Sequence, residues 1–431
     1  MNPDVFTDDY KSEPYWWEAT PRPLIAPAEL PPAIDVAVIG SGYSGLHAAL
    51  VTARAGRSTL VLERGEVGSG CSTRNGGQIS TSIKPGLAAL TRRYGETRAR
   101  EIMRDGVCSL AWIQSFIEEE GIDCDLRTVG RFHAAHSAGA FDELVASTQA
   151  EDPEFRTGAV VVPREKQRRE LGTDRYHGGV VFPNHASVDP GRYHQGLLNR
   201  ALAAGTQVAE QAAVEGIARG VSGFVLRTTR GEIRAREVVV ATNGYTGPLT
   251  PWLQRRIIPI GSYVIATEPV PEDVMARLMP TDRIVSDTRK VVYYYRPSPD
   301  RRRIVFGGRV SLRESDPRVS GPLLLRELVR LFPELSGVRI SHSWMGFVGY
   351  TFDTLAHMGQ QDGLHYAMGY CGSGVGMASY LGMRLGRQVV GGPEGTGLAA
   401  IRFPTRPLYT GNPWFLAPSV AYYRWKDERR A

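Results

Sequence analysis

One stretch near the start constrains this chain more than any other. Ile34-Asp35-Val36-Ala37-Val38-Ile39 is a short, mostly apolar, β-branched run ending in glycine, which reads as a buried parallel strand. Gly40-Ser41-Gly42-Tyr43-Ser44-Gly45 follows as a G-x-G-x-x-G, opening a helix over 44–55 that stops at Gly56. Residues 58–63 form a second strand ending on Glu63, about 20 residues on, as a dinucleotide-binding βαβ unit requires. Each part has a mechanical reason. Gly40 permits the tight turn, Gly42 lets the backbone approach a pyrophosphate, and Gly45 lets helix and strand pack closely. The helix N-terminus offers free N–H groups and a positive dipole end to phosphates, and the Glu63 carboxylate can accept hydrogen bonds from ribose hydroxyls. An acidic residue there disfavours a 2′-phosphate, so FAD or NAD is expected rather than NADP.

Composition narrows the remaining possibilities. With 431 residues, 42% hydrophobic and 22% charged, the chain is neither disordered nor a disulfide-stapled miniprotein, and its length suits two or three domains. The net charge is +6, and the basic clusters Arg301-Arg302-Arg303 and Arg168-Arg169 lack interleaved aromatics, so solvated faces are expected and no nucleic acid. Cys71, Cys108, Cys124 and Cys371 lie far apart with no C-x-x-C pair, and the histidines show no ligand spacing, so no metal site is expected. Residues 1–20 lack a basic-then-apolar leader pattern, and no apolar run approaches the ~18 residues of a spanning helix. A cytoplasmic protein without a transmembrane segment is the expectation.

Along the chain, residues 1–32 read as an irregular aromatic and Pro-rich arm packed on the body. Helices are expected over 96–121 and 192–204, and Glu237-Val238-Val239-Val240-Ala241-Thr242 is another buried strand. Between about 257 and 310 the pattern alternates: Val291–Tyr295 and Arg303–Phe306, separated by Pro297-Ser298-Pro299-Asp300, read as a hairpin in an antiparallel sheet. Alternation puts Tyr294 on the face opposite Tyr293 and Tyr295. Gly68–Gln78 is a polar glycine-rich loop able to lie flat against an aromatic ring system.

The strand Ile34–Ile39, the glycine turn, Leu62-Glu63 and above all Ser72-Thr73-Arg74-Asn75-Gly76-Gly77-Gln78 resemble the D-amino-acid-oxidase-like (DAO) superfamily of FAD-dependent oxidoreductases. Within it the resemblance is to the γ-glutamylputrescine-oxidoreductase-like branch, where an S-x-R-N-G-G-Q loop follows the second strand. It continues through Val188-Asp189-Pro190, Val240–Tyr245, Ala266–Pro269, Tyr294–Arg296, Phe306–Arg309, Trp344-Met345-Gly346 and Gly369–Gly376, covering about 34–390. It implies a Rossmann-like α/β FAD-binding domain interleaved with an α+β, antiparallel-sheet substrate domain. The divisions expected are an arm at 1–32, FAD-binding parts at 33–90, 185–255 and 345–400, substrate-binding parts at 91–184 and 256–344, and a tail at 401–431.

FAD contacts are implied at Gly40, Gly42, Tyr43, Ser44, Gly45, Glu63 and Arg64. They continue along the loop at Ser72, Thr73, Arg74, Asn75, Gly76, Gly77 and Gln78, and at Val214, Thr242, Asn243 and Gly244. The last set is Gly372, Ser373, Gly374, Val375 and Gly376, which open the last long helix, about 375–390, toward the flavin pyrimidine edge. There a helix dipole stabilises negative charge. The chemistry implied is transfer of a hydride equivalent from the carbon beside a substrate amine to flavin N5, giving an imine that water hydrolyses to a carbonyl compound. The substrate is expected to be a primary or secondary amine or amino acid, with an acidic group. The candidate site residues are Tyr294, Arg296, suited to a substrate acid, and His357. Related sarcosine oxidases hold a lysine over the flavin, in a strand corresponding to Ile304–Gly307, and none occurs here. The acceptor is therefore open between oxygen, yielding H2O2, and a quinone or carrier. Non-covalent FAD is expected, with Cys371 the cysteine to watch. A nicotinamide dehydrogenase, a flavoprotein acting on a nucleic-acid-linked substrate and a flavin-binding protein without turnover are the alternatives.

Overall fold

In the computed structural model, residues 5–25, 29–81, 83–311, 314–392, 395–399 and 401–430 are described; Pro27 of the arm and the end of the 345–400 stretch lie outside them. The strand Ala33–Ile39, the helix Tyr43–Arg54 and the strand Thr59–Leu62 follow the expected βαβ order. Both strands run parallel, with Val36 opposite Thr59 and Ile39 opposite Leu62. Gln207–Ala209 extends the sheet beyond Thr59–Leu62, and Gly231–Val240 lies parallel on the other side. Two hairpin partners, Val214–Gly220 and Gly223–Thr228, and the strands His357–Gln361 and Leu364–Met368 complete eight strands. The run Val36 to Val38 is buried on both faces, which explains its unbroken apolar character. On one face lie the helices Tyr43–Arg54, Glu96–Glu119, Pro190–Ala203 and Gly374–Val389, enclosing the largest core.

A second sheet has nine strands. Its order is Phe6–Lys11, Ile340–Tyr350, Ile258–Thr267, Ile304–Gly308, Tyr293–Pro297, Ile284–Asp287, Arg131–Ala134, Gly179–Phe182 and Val160–Val162. The expected hairpin is present as Tyr293–Pro297 paired antiparallel with Ile304–Gly308. One face packs Phe132, Tyr295, Phe306 and Phe332 against the helix Pro317–Leu331. The opposite face meets the first sheet's loops, with Trp16, Val264, Val305 and Trp344 in a small apolar cluster.

Both chain ends are more regular than expected. The arm read as irregular contains an edge strand, Phe6–Lys11, running parallel to Ile340–Tyr350, and a short helix, Trp16–Ala19. Its amphipathic alternation is too short to stand out from the sequence alone. Trp16 is fully buried and donates through Nε1 to the Asn75 carbonyl at 2.9 Å. The tail ends in a helix, Leu416–Arg430.

Candidate active site

A cavity of about 1920 Å³ runs between the two sheets. At one end, Gly40 (φ +105°) turns the strand into the helix; a methyl there would stand 3.0 Å from the Ala241 carbonyl oxygen. A methyl on Gly45 would collide with the Gly40 carbonyl oxygen. Gly42 is different in kind, because its backbone is ordinary (φ −75°) and a methyl would meet only Ser72 Oγ, at 2.9 Å. The helix therefore opens onto the cavity, and its first-turn N–H groups lack intrahelical acceptors. Ser72 Oγ takes one of them, from Tyr43, at 3.0 Å. Ser44 shares a 2.5 Å hydrogen bond with Tyr370 OH. Glu63 accepts from the Ser41 N–H (3.0 Å), the Ser41 hydroxyl (2.6 Å) and the Gly65 N–H (3.2 Å), so its carboxylate also ties the glycine turn together. Glu63, Arg64 and Val214 line this end of the cavity.

Asn75 braces the glycine-rich loop by donating to the Ser72 and Cys71 carbonyls (2.8 and 3.2 Å) and accepting from the Gly77 N–H (2.8 Å). Ser72, Arg74, Asn75, Gly76 and Gln78 line the cavity; Thr73 and Gly77 do not. Thr73 turns outward to bond the Gly68 carbonyl and the Trp17 indole, and Gly77 is pressed against the Val188 carbonyl. Gln78 donates to the Val285 and Tyr295 carbonyls (3.2 and 3.3 Å), tying the loop to the second sheet. On the opposite wall Thr242 and Asn243 line the cavity, whereas Gly244 is packed under the Phe347 carbonyl.

At the far end, Cys371 (φ +52°) and Gly372 (φ +93°) swing the backbone into the helix Gly374–Val389. Gly372, Ser373, Gly374 and Val375 face the cavity. Gly376 does not; it packs toward Ile79 and Ser109, because it falls on the inner side of the first helical turn. Lys84, which the motifs did not single out, donates to Tyr350 OH at 3.1 Å and lies beside Gly372.

The second sheet forms the roof. Tyr294 faces the cavity while Tyr293 and Tyr295 pack into the other face, as strand alternation requires. The Tyr294 ring lies over Gly76 and Gly307, and its hydroxyl shares a 2.8 Å hydrogen bond with Ser262. Burial raises its phenol far above the ordinary value.

Two of the three candidate side chains lie elsewhere. Arg296 is buried and turned toward loops 77 and 188, donating to the Val188 and Gly77 carbonyls (2.8 and 3.3 Å) with Asp125 at 4.0 Å. Burial pulls its guanidinium down to about 10. It lies on the Tyr294 face of the strand, but loops 77 and 188 cover that end. His357 is stacked on Phe403 (ring centres 4.0 Å apart) and bonded to Asp353 at 3.0 Å, away from the cavity. Neither can touch a ligand there.

The tail supplies a wall that the motifs did not announce: Phe415, Leu416, Ser419, Val420 and Tyr423 line the cavity opposite Val291 and Val292. Asp427 clamps this helix, accepting from the Lys290 and Val291 N–H groups at 3.2 and 3.1 Å.

Residues 35–388 match the family described as DAO, FAD dependent oxidoreductase. The chain belongs to this family. Similar members include γ-glutamylputrescine oxidoreductase of Escherichia coli strain K12, 32% identical over 91% of this chain and 92% of that protein. The probable oxidoreductase OrdL of Rhizobium meliloti strain 1021 is 29% identical over 96% and 97%. Among solved structures, glycine oxidase of Geobacillus kaustophilus superposes with a TM-score of 0.72 at 21% identity, covering 87% of this chain and all of that one. The two-sheet fold is thus that of the DAO flavoenzymes.

The cavity fits the cofactor of this family. Two helix N-termini open onto it, one where a pyrophosphate needs N–H donors and one beside Lys84, where negative charge would be stabilised. Its volume exceeds the ~300–1,000 Å³ of a site for one drug-sized ligand, leaving space for a dinucleotide and a second molecule. Among the described residues no His, Cys, Asp and Glu cluster could hold a metal ion, and no helix is long and apolar enough to cross a membrane.

Proposed function

We propose that this chain oxidises the C–N bond of a primary or secondary amine, acting from an FAD-binding part assembled from residues 33–90, 185–255 and 345–400. The observation that carries the reading is a single cavity reached by both helix N-termini and roofed by the Tyr294 face of the antiparallel sheet. The relative named for γ-glutamylputrescine supports an amine joined to an acidic group as the substrate class. Bound FAD supplies the two-electron acceptor, taking a hydride equivalent from the carbon beside the amine nitrogen.

The residues of the chain do the rest. Gly42, Tyr43 and Ser44 present the first helix N-terminus to the phosphates, and Glu63 and Val214 hold the nucleoside end. Asn75 holds the loop 72–78 in shape, and the Tyr294 ring packs directly on Gly76, where a side chain would displace it. Tyr294, its phenol raised by desolvation, stays protonated at neutral pH; it therefore orients a ligand by hydrogen bonding and does not act as a base. The amine must enter as the neutral base, leaving its proton with solvent, and the imine formed is released to water. Binding is non-covalent: Cys71 lines the cavity, but burial pushes its thiol up to about 11, while Cys371 donates to the Gly369 carbonyl, outside the cavity lining.

The test is anaerobic mixing of the FAD-loaded protein with γ-glutamylputrescine, putrescine, N-methyl amino acids and cyclic imino acids. Bleaching of the oxidised flavin band by one class is the expected result, and a band untouched by all of them refutes the reading. Air admitted afterwards distinguishes an oxidase, whose colour returns with H2O2, from a dehydrogenase that needs a quinone or carrier.

A further inference from the structure

We propose that Arg131 is the anchor for a carboxylate carried at the far end of the amine substrate. It rests on the reading of the Tyr294 end as the place where the C–N bond reacts. Arg131 lines the same cavity, in a branch shared with His133, Ser147, Thr157 and Phe182. Its guanidinium lies over the Phe182 ring, 4.9 Å from the centre, and its Nε is buried without a hydrogen-bond partner. Burial alone lowers it to about 10, with no carboxylate opposing the shift, so it remains a cation at neutral pH. His133 cannot compete for an anion, because burial and the Arg131 charge hold it down to about 3 and hence neutral. Glu151 also lines the branch, but its carboxylate is engaged by the Thr157 N–H and hydroxyl (3.0 and 2.6 Å). A half-buried guanidinium whose Nε is cut off from water without a partner is unfavourable unless a ligand supplies the counter-charge. A guanidinium is also the group that grips a planar carboxylate through two parallel hydrogen bonds.

The sheet sets the length of that substrate. Arg131 and His133 share a face, His133 stands opposite Ser286, and Ser286 opposite Tyr294. Two strand spacings of ~4.8 Å and two residues of ~3.3 Å put the Arg131 and Tyr294 backbones roughly 12 Å apart. A substrate joining the two ends needs about 10 Å between its reacting carbon and its carboxylate, roughly eight bonds of an extended chain. Short amino acids cannot bridge that distance. An acylated diamine ending in an amino-acid carboxylate can.

The experiment compares the FAD-loaded wild type with Arg131→Met and Arg131→Lys. The first readout is the ratio of KM for 1-aminooctane to KM for 8-aminooctanoate, which differ only in the carboxylate. It is expected to be tenfold or more in the wild type, to fall toward one in Arg131→Met, and to be partly restored in Arg131→Lys; 4-aminobutanoate should show no carboxylate advantage. The second readout is calorimetric titration with octanoate, which cannot be oxidised, and its affinity should fall at least tenfold in Arg131→Met. Unchanged octanoate affinity in a folded Arg131→Met protein overturns the proposal. Arg131-dependent octanoate binding without oxidation of any amine sustains it while refuting the proposed activity. A melting temperature lowered in Arg131→Met, with the KM ratio and octanoate affinity intact, would instead make Arg131 a structural residue.

Discussion

Gly42 and Gly45 separate what the glycine turn does for the fold from what it does for the ligand. Alanine at Gly42 needs no unusual backbone angle, since φ is −75°. Its methyl would meet only the Ser72 hydroxyl at 2.9 Å, and that hydroxyl can rotate. The most that is lost is the Tyr43 N–H to Ser72 hydrogen bond, worth about 1 kcal/mol. A compatible Gly-to-Ala change returns about 0.4–1 kcal/mol through the unfolded chain. The FAD-free protein should therefore melt within a few degrees of wild type. The same methyl stands where the helix N-terminus must meet a pyrophosphate, and crowding of that kind costs about 1–3 kcal/mol. FAD affinity should then fall roughly 5- to 150-fold. Gly45→Ala is the contrast: its methyl would strike the Gly40 carbonyl oxygen and lie 3.2 Å from Val38 Cγ1, so strand and helix must separate and stability itself should drop. Calorimetric melting of the FAD-stripped full chain and quenching of flavin fluorescence measure the two quantities independently. Wild-type FAD affinity in Gly42→Ala, or equal loss of melting temperature in both variants, would refute the assignment of the turn to phosphate binding.

Arg296→Met should lower stability by about 1–3 kcal/mol by leaving the Val188 carbonyl unpaired, the Gly77 carbonyl keeping the Val188 N–H; loss of amine affinity at unchanged melting temperature would return Arg296 to the substrate site. His47 is buried, bonded to Tyr193 at 2.8 Å, and held down to about 3 by desolvation, so it is neutral in the folded protein. The unfolded chain takes up that proton below its ordinary value of ~6.5, so stability is lost as pH falls from there toward 3, at ~1.4 kcal/mol per pH unit. His47→Gln should reduce the slope of unfolding free energy between pH 6 and 4 by that amount, and an unchanged slope in urea titrations counts against it. Asp427→Asn should loosen the C-terminal helix from the 290–291 backbone, seen as faster proteolytic cutting near residue 410 and an altered KM for the amine; unchanged cutting would show that the clamp is not what holds it.

What could be read from the sequence follows from how local each feature is. The βαβ turn is specified within about 30 residues by strand period, glycine spacing and a terminal carboxylate, so Gly40, Gly42, Gly45 and Glu63 could be placed before any tertiary contact was known. Tyr294 was legible for the same reason, because alternation alone decides which face a strand residue takes. Arg296 obeys that alternation too, and still misleads. Two residues along the strand, the face passes beneath loops 77 and 188, and only the packing of distant segments shows where the cavity ends. His357 fails similarly, since the Phe403 ring and Asp353 that enclose it come from loops unrelated to its strand. The missed groups are the converse case. Arg131 sits in a four-residue strand, Lys84 in a connecting loop, and Asp427 in a helix whose aromatic residues disguise its inward face. None belongs to a motif, and each acquires meaning only from what the fold sets opposite it. The end of the cavity proposed for the cofactor is thus written in contiguous sequence, while the end proposed for the substrate is assembled from single residues on separate elements. Substitutions at Arg131 or along Leu416–Arg430 should therefore change which amine is accepted without disturbing the glycine turn proposed to hold the cofactor.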